Sequence, residues 1–209
     1  MIKALLLIFS PVSAWERVFR AQRSPWFVLG VFLIPLLVLS AAGEAYGLVH
    51  WGKWQNTLVR EPRTFAPAEA AVFEAFQFVL TLAVVLVNAG LLKSTGGTFH
   101  ARHTLSQAFT TIAYGLSPLF LFRLMNASSD VQPWLSWAVG VVLSMMIMYH
   151  GVPRIMQPDP AHAFGLYVIT CLLALFTTGL LQLITACYLL GKFPKLSTFI
   201  ASLAARLPF

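Results

Sequence analysis

Charge is what this chain has least of. Only 10% of its 209 residues are charged and 58% are hydrophobic, against about 25% charged in an average soluble domain. So few polar residues could not cover an apolar core in water, which excludes an ordinary soluble globule and makes lipid the expected solvent. Acidic residues are scarcer still: the 7 Asp and Glu are dispersed and leave no evident carboxylate pair for acid–base work. No G-x-S-x-G, H-E-x-x-H, Walker loop or dinucleotide fingerprint occurs. No catalytic, cofactor-binding or metal-binding residue is therefore expected. Cysteine is limited to Cys171 and Cys187, sixteen residues apart on one expected helix. At 1.5 Å per residue that is roughly 24 Å, beyond the disulfide limit of about 7 Å between Cα atoms.

What is present is basic and apolar. Lys and Arg number 14, giving a net charge of +7, but they are scattered at segment ends with no Lys/Arg-rich run. Anionic lipid headgroups are the expected partner, and nucleic acid is not. The N-terminus imitates a secretory signal, with Lys3, the apolar run Ala4 to Phe9, then Val12-Ser13-Ala14. That run is short, and Arg17, Arg20 and Arg23 follow it where positive charge opposes translocation, so cleavage is not expected.

Five stretches approach the 20 or so apolar residues that a spanning helix needs: residues 26–45, 71–92, 105–124, 134–152 and 164–190. The predicted fold is an all-α membrane bundle of five spans at residues 26–192. It is preceded by an amphipathic interfacial segment at 1–25 and followed by a weaker amphipathic tail at 193–209. Pro35 and Pro118 fall inside spans and predict kinks. The connection Tyr46 to Ala70, with Trp51 and Trp54, is expected to lie along the headgroup boundary.

Ahead of the first span, Ser10-Pro11 reads as a helix start. Trp15, Val18 and Phe19 then share one face, opposite Glu16, Arg17, Arg20 and Arg23, while Ile2, Leu5, Leu6 and Phe9 keep the same spacing. The expectation is that Trp15, Val18 and Phe19 wedge under lipid headgroups while Arg17, Arg20, Arg23, Arg102 and Arg154 hold phosphate. Basic residues in the flanks tie at seven on each side. The three arginines before the first span favour a cytoplasmic N-terminus.

Three stretches carry a resemblance: FSPVSAWERV before the first span, GGTFHARHTLSQAFTTIAYGLSPLFL, and MYHGVPRIMQPDPAHAFGLYVI. Together they resemble the bacterial branch of the Yip (Ypt/Rab-interacting protein) family. The third is similar to that family's link between its fourth and fifth spans, with Tyr149, Gly151, Pro153, Met156 and Pro158 in the matching positions. The resemblance implies five spans, no catalytic site, and a role like that of eukaryotic relatives, which act as adaptors in vesicle traffic and membrane shaping. The aspartate-leucine-tyrosine-glycine-proline signature of the eukaryotic branch is absent, its nearest echo being Glu44-Ala45-Tyr46-Gly47, so Rab GTPase binding is not carried over. On the residues alone, the prolines of the link predict a rigid turn from His150 to Ala161, with Arg154 at phosphate and Asp159 capping the fifth helix.

Other polar groups read as packing. Met145, Met146, Met148, His150, Met156 and His162 could suit Cu(I), but lack a repeated ligand pattern and are expected to fill space. His100 and His103 lack the further ligands of a zinc site. Asn88, Thr178, Gln182 and Thr185 within the spans are expected to bond between helices. Asn88 and Gln182 are the candidates for a polar pathway. Ser136, Gly140 and Ser144 predict close helix packing. Glu44, Glu69, Glu74 and Arg123 fall near span ends. The function expected is a non-enzymatic scaffold, adaptor or accessory subunit that binds other integral membrane proteins or a second copy. A small transporter or channel and a non-catalytic subunit of a larger membrane enzyme are the alternatives.

Overall fold

A computed structural model describes residues 2–55, 61–101, 104–192 and 194–205. Five helices among them are long and apolar enough to cross a membrane: Pro25–His50, Pro67–Thr98, Leu105–Ala127, Pro133–Met156 and Ala163–Leu189. The first four begin at a cap or a proline. Ser24 accepts from the Phe27 N–H at 3.3 Å, and Thr104 and Gln107 close a reciprocal capping box. Proline opens the first, second and fourth spans, where its missing N–H would have had no helical partner. The second span outruns its apolar stretch because Lys93 to Thr98 continue the helix into polar sequence.

The expected irregularities at Pro35 and Pro118 take specific forms. Pro35 cannot donate to the carbonyl four residues back, and the preceding segment Val28–Leu33 widens into a π-helix, with the Ile34 N–H reaching the Leu29 carbonyl. The third span breaks at Leu116, restarts with Pro118 near its first turn, and tightens into a 3₁₀ segment at Arg123–Ala127. That last turn rotates Asn126 inward, where it is buried.

Helix α1 (Ile2–Phe9) and helix α2 (Pro11–Ala21) lie against the bundle, α2 along the fourth span. Ser10 sits at the start of α2 with Pro11 behind it, but its side chain makes no capping bond. On the opposite end, β1 (Lys53–Gln55) and β2 (Glu61–Arg63) pair antiparallel with Lys53 facing Arg63. Trp51 and Trp54 are exposed there, in keeping with a place along the surface. A C-terminal helix, Pro194–Ala204, packs on the second span.

The interior divides into two apolar clusters. The larger, toward the N-terminal end, gathers Trp15, Phe32, Leu36, Tyr114, Met148 and Met156. The smaller, at the other end, stacks Phe73 on Tyr188 with centroids 4.5 Å apart. Val79, Leu86, Val142, Phe176 and Leu180 point outward, an exposure that only lipid tolerates on this scale. Gly140 packs against the Leu119 backbone, where an added Cβ would come within 2.8 Å, so the small-residue stripe of the fourth span serves packing inside the chain.

Candidate functional site

The first site is the junction of α2 with the fourth span. Trp15 is 1% exposed, and its indole Nε1 donates to the Ile147 carbonyl at 3.0 Å. Its ring meets Tyr114 edge-on at 6.4 Å and lies against Gly151, where a methyl group would overlap Cε2 and Cζ2. Trp15 therefore does not wedge into lipid: its aromatic area is buried by protein and its polar N–H finds a carbonyl. Val18 and Phe19 are half-buried against the same core. Glu16 bonds Arg20 at 3.0 Å and pairs with Arg154, whose guanidinium also stands 5.9 Å from the Phe19 ring centroid. Arg23 lies over Phe27 at 4.8 Å, and Arg17 is exposed. Arg102 and His103 lie outside the described residues.

The turn expected from His150 is corrected here. The fourth span runs through His150, Gly151, Val152 and Pro153 to Met156 before Gln157 ends it in a left-handed conformation. A proline this close to a helix end removes one bond. The burial of Val152, Ile155 and Met156 holds the final turn in place. Tyr149 is exposed, while Pro153 and Pro158 are half-buried. Asp159 accepts from the Ala161 N–H at 3.4 Å within the short loop, and the fifth helix has no side-chain cap. The two stretches AWER and YHGVPR, far apart in sequence, thus meet face to face.

The second site is not visible as a constellation in the sequence. Glu44, Glu74 and Arg123 come from the first three spans and converge near the opposite end. Arg123 donates from Nε to Glu44 at 2.5 Å and from Nη2 to Glu74 at 2.5 Å. Asn126 donates to the second Glu44 oxygen at 3.2 Å and accepts from Ser136 at 2.5 Å. Glu44 is 0% exposed and Glu74 5%. The second carboxylate oxygen of Glu74, Oε1, has no hydrogen-bond partner among the described residues. Dispersed acids therefore do form a pair, bridged by a guanidinium whose planar fork suits two carboxylates. The sequence holds one clue: alternation of span direction puts residues 44, 74 and 123 at the same end.

Around this triad a polar shell continues. The Lys53 ammonium donates to the carbonyls of Ser128 at 2.5 Å and Val131 at 2.9 Å. Burial pushes its pKa below the usual lysine value, with Glu44 and Asp130 pulling the other way. Arg63 bonds Glu69 at 3.1 Å, and the Tyr188 hydroxyl donates to the same carboxylate at 3.2 Å. A cavity of about 50 Å³ beside Arg123 is lined in part by Gln77, Thr81, Asn126, Ser136 and Gln182, room for one or a few waters.

Of the two expected pathway residues, one lines the cavity and the other bonds a residue of its wall. Gln182 lines that cavity and donates to the Pro133 carbonyl at 2.7 Å. Asn88 donates to the carbonyl of Val84, a residue of the cavity wall, at 2.8 Å and to Thr177 Oγ1 at 2.7 Å. Met148 and Met156 are fully buried packing residues, and no group of three His, Cys, Asp or Glu suited to a metal occurs among the described residues.

Five apolar crossings, a docked amphipathic lead-in and an internal ion triad define a polytopic integral membrane protein. A family model described as Yip1 domain matches residues 5–181, from α1 into the fifth span, and the chain belongs to that family. No curated protein and no solved structure matches this chain.

Proposed function

We propose that this protein is a non-enzymatic scaffold or adaptor of a bacterial inner membrane. Its N-terminus is cytoplasmic, and it binds other integral membrane proteins or a second copy of itself. The observation that carries the reading is how α2 is held. Its apolar face is anchored on the bundle by Trp15 and Gly151, so Arg17 and Arg20 project outward from a fixed helix. A rigid basic surface at the membrane boundary suits recruitment of acidic segments and contact with anionic headgroups. Polar groups within the spans fit the same reading, because Asn88 and Gln182 each bond across a helix pair.

The test is crosslinking in native membranes followed by mild-detergent purification. A defined set of membrane chains should be recovered with the wild type and lost from an Arg17→Glu/Arg20→Glu variant. The same chains recovered at equal yield from both would overturn the role given to α2. Labelling of Arg17→Cys should occur only from the cytoplasmic side.

Transport is the second reading, favoured by the polar cavity at Gln182. Reconstituted protein should pass no ion or small solute beyond empty liposomes. A flux abolished by Gln182→Leu would replace the scaffold reading with that of a channel or carrier.

A further inference from the structure

We propose that the groove between α2, the end of the fourth span and the start of the fifth holds the phosphate and glycerol region of a single phospholipid. This proposal does not depend on the scaffold reading. The groove has a volume of about 660 Å³, within the range of roughly 300–1,000 Å³ for sites that take a discrete small molecule. Its lining combines charged and aromatic side chains, as a lipid combines phosphate and apolar parts.

One part of the lining is charged, with the Arg154 guanidinium beside the Glu16 carboxylate. Glu16 also pairs with Arg20, which lies outside the groove lining, so the Glu16 charge is divided and does not fully neutralise the Arg154 guanidinium. Arg154 is half exposed, and a guanidinium carries five N–H donors, so bonding Glu16 leaves others for a phosphate.

Another part is aromatic. Tyr149, Phe164 and Tyr167 form a wall in which Tyr149 meets Tyr167 edge-on at 5.4 Å and Phe164 lies 6.1 Å from Tyr167. Tyr167 is fixed by donation to the Met145 carbonyl at 3.3 Å. Tyr149 and Phe164 are 54% and 67% exposed. Exposed rings beside the ends of two spans sit at the level where a bilayer presents glycerol and upper acyl chain. A free phosphate would use only the charged part. The adjoining apolar wall is what selects the lipid.

Purified protein, stripped of lipid in detergent, would be titrated in separate arms with dihexanoyl phosphatidylglycerol and with inorganic phosphate, and adducts counted by native mass spectrometry. One lipid should be retained per chain. Its binding should weaken about tenfold in Arg154→Gln and about fivefold in Phe164→Ala, the scale of a lost charge-assisted bond and a lost aromatic contact. Phe164 lies off the Glu16–Arg154 contact, so its variant keeps α2 in place and guards against a result caused by undocking. Three results would overturn the proposal: no lipid adduct, equal retention in wild type and both variants, or inorganic phosphate bound as tightly as the lipid.

Discussion

Two junctions hold this bundle, one near each end, and they are built from opposite materials. Toward the N-terminal end a buried indole lies on a glycine and hydrogen-bonds one carbonyl, within a cluster of aliphatic and aromatic side chains. Toward the other end an arginine bridges two carboxylates inside a polar shell. The first gains stability from every apolar contact and loses it gradually as contacts are removed. The second is conditional. Its desolvated charges are tolerated only while each has its partner, so loss of one partner is far more damaging than neutral replacement of all.

The largest expected effect follows from that asymmetry. Arg123→Leu strands Glu44 and Glu74 together and should destabilise the detergent-solubilised protein by about 3–5 kcal/mol, read as a lowered thermal midpoint. The combined Glu44→Gln/Glu74→Gln/Arg123→Met variant should recover most of the loss. If it is no better than Arg123→Leu, the ionic junction contributes net stability and the two junctions do not differ in kind.

Next comes Trp15→Ala, which removes the anchor of α2 at a cost of about 3 kcal/mol. The effect should show as faster tumbling of a spin label on α2 and protease sensitivity near Gln22, together with a lowered thermal midpoint, because Trp15 belongs to the larger core cluster. Gly151→Ala tests the same contact from the other side: the added methyl overlaps the indole ring and should cost about 1–3 kcal/mol in the same assays. Smallest is Glu16→Gln, which weakens the pairing with Arg154, half exposed, and should shift α2 docking by roughly 0.5 kcal/mol.

How much of this is legible in the sequence depends on distance along the chain. The spans are, because an uninterrupted apolar run of membrane length is hard to bury any other way. Their ends come out too short wherever a helix continues through polar residues, as at Lys93 to Thr98. Pro153 reads as a helix stop and is not one. A proline tolerated in a last turn and one that ends a helix have the same sequence, and only the burial of Ile155 and Met156 distinguishes them. The spacing of Trp15, Val18 and Phe19 gives α2 an apolar face, but periodicity does not say whether lipid or protein covers it. The Glu44–Arg123–Glu74 triad is least legible, since each member is an ordinary charged residue near a helix end until the first three spans are packed.

The Trp15 to Ile147 bond joins residues 132 positions apart, and that separation sets an order of assembly. At roughly 5–20 residues per second of synthesis, the lead-in helix emerges many seconds before the segment that receives it. It must wait at the membrane surface with its indole unmatched until the fourth crossing has been threaded. What is made before the first crossing is therefore seated only after the fourth, and the indole closes that junction like a latch.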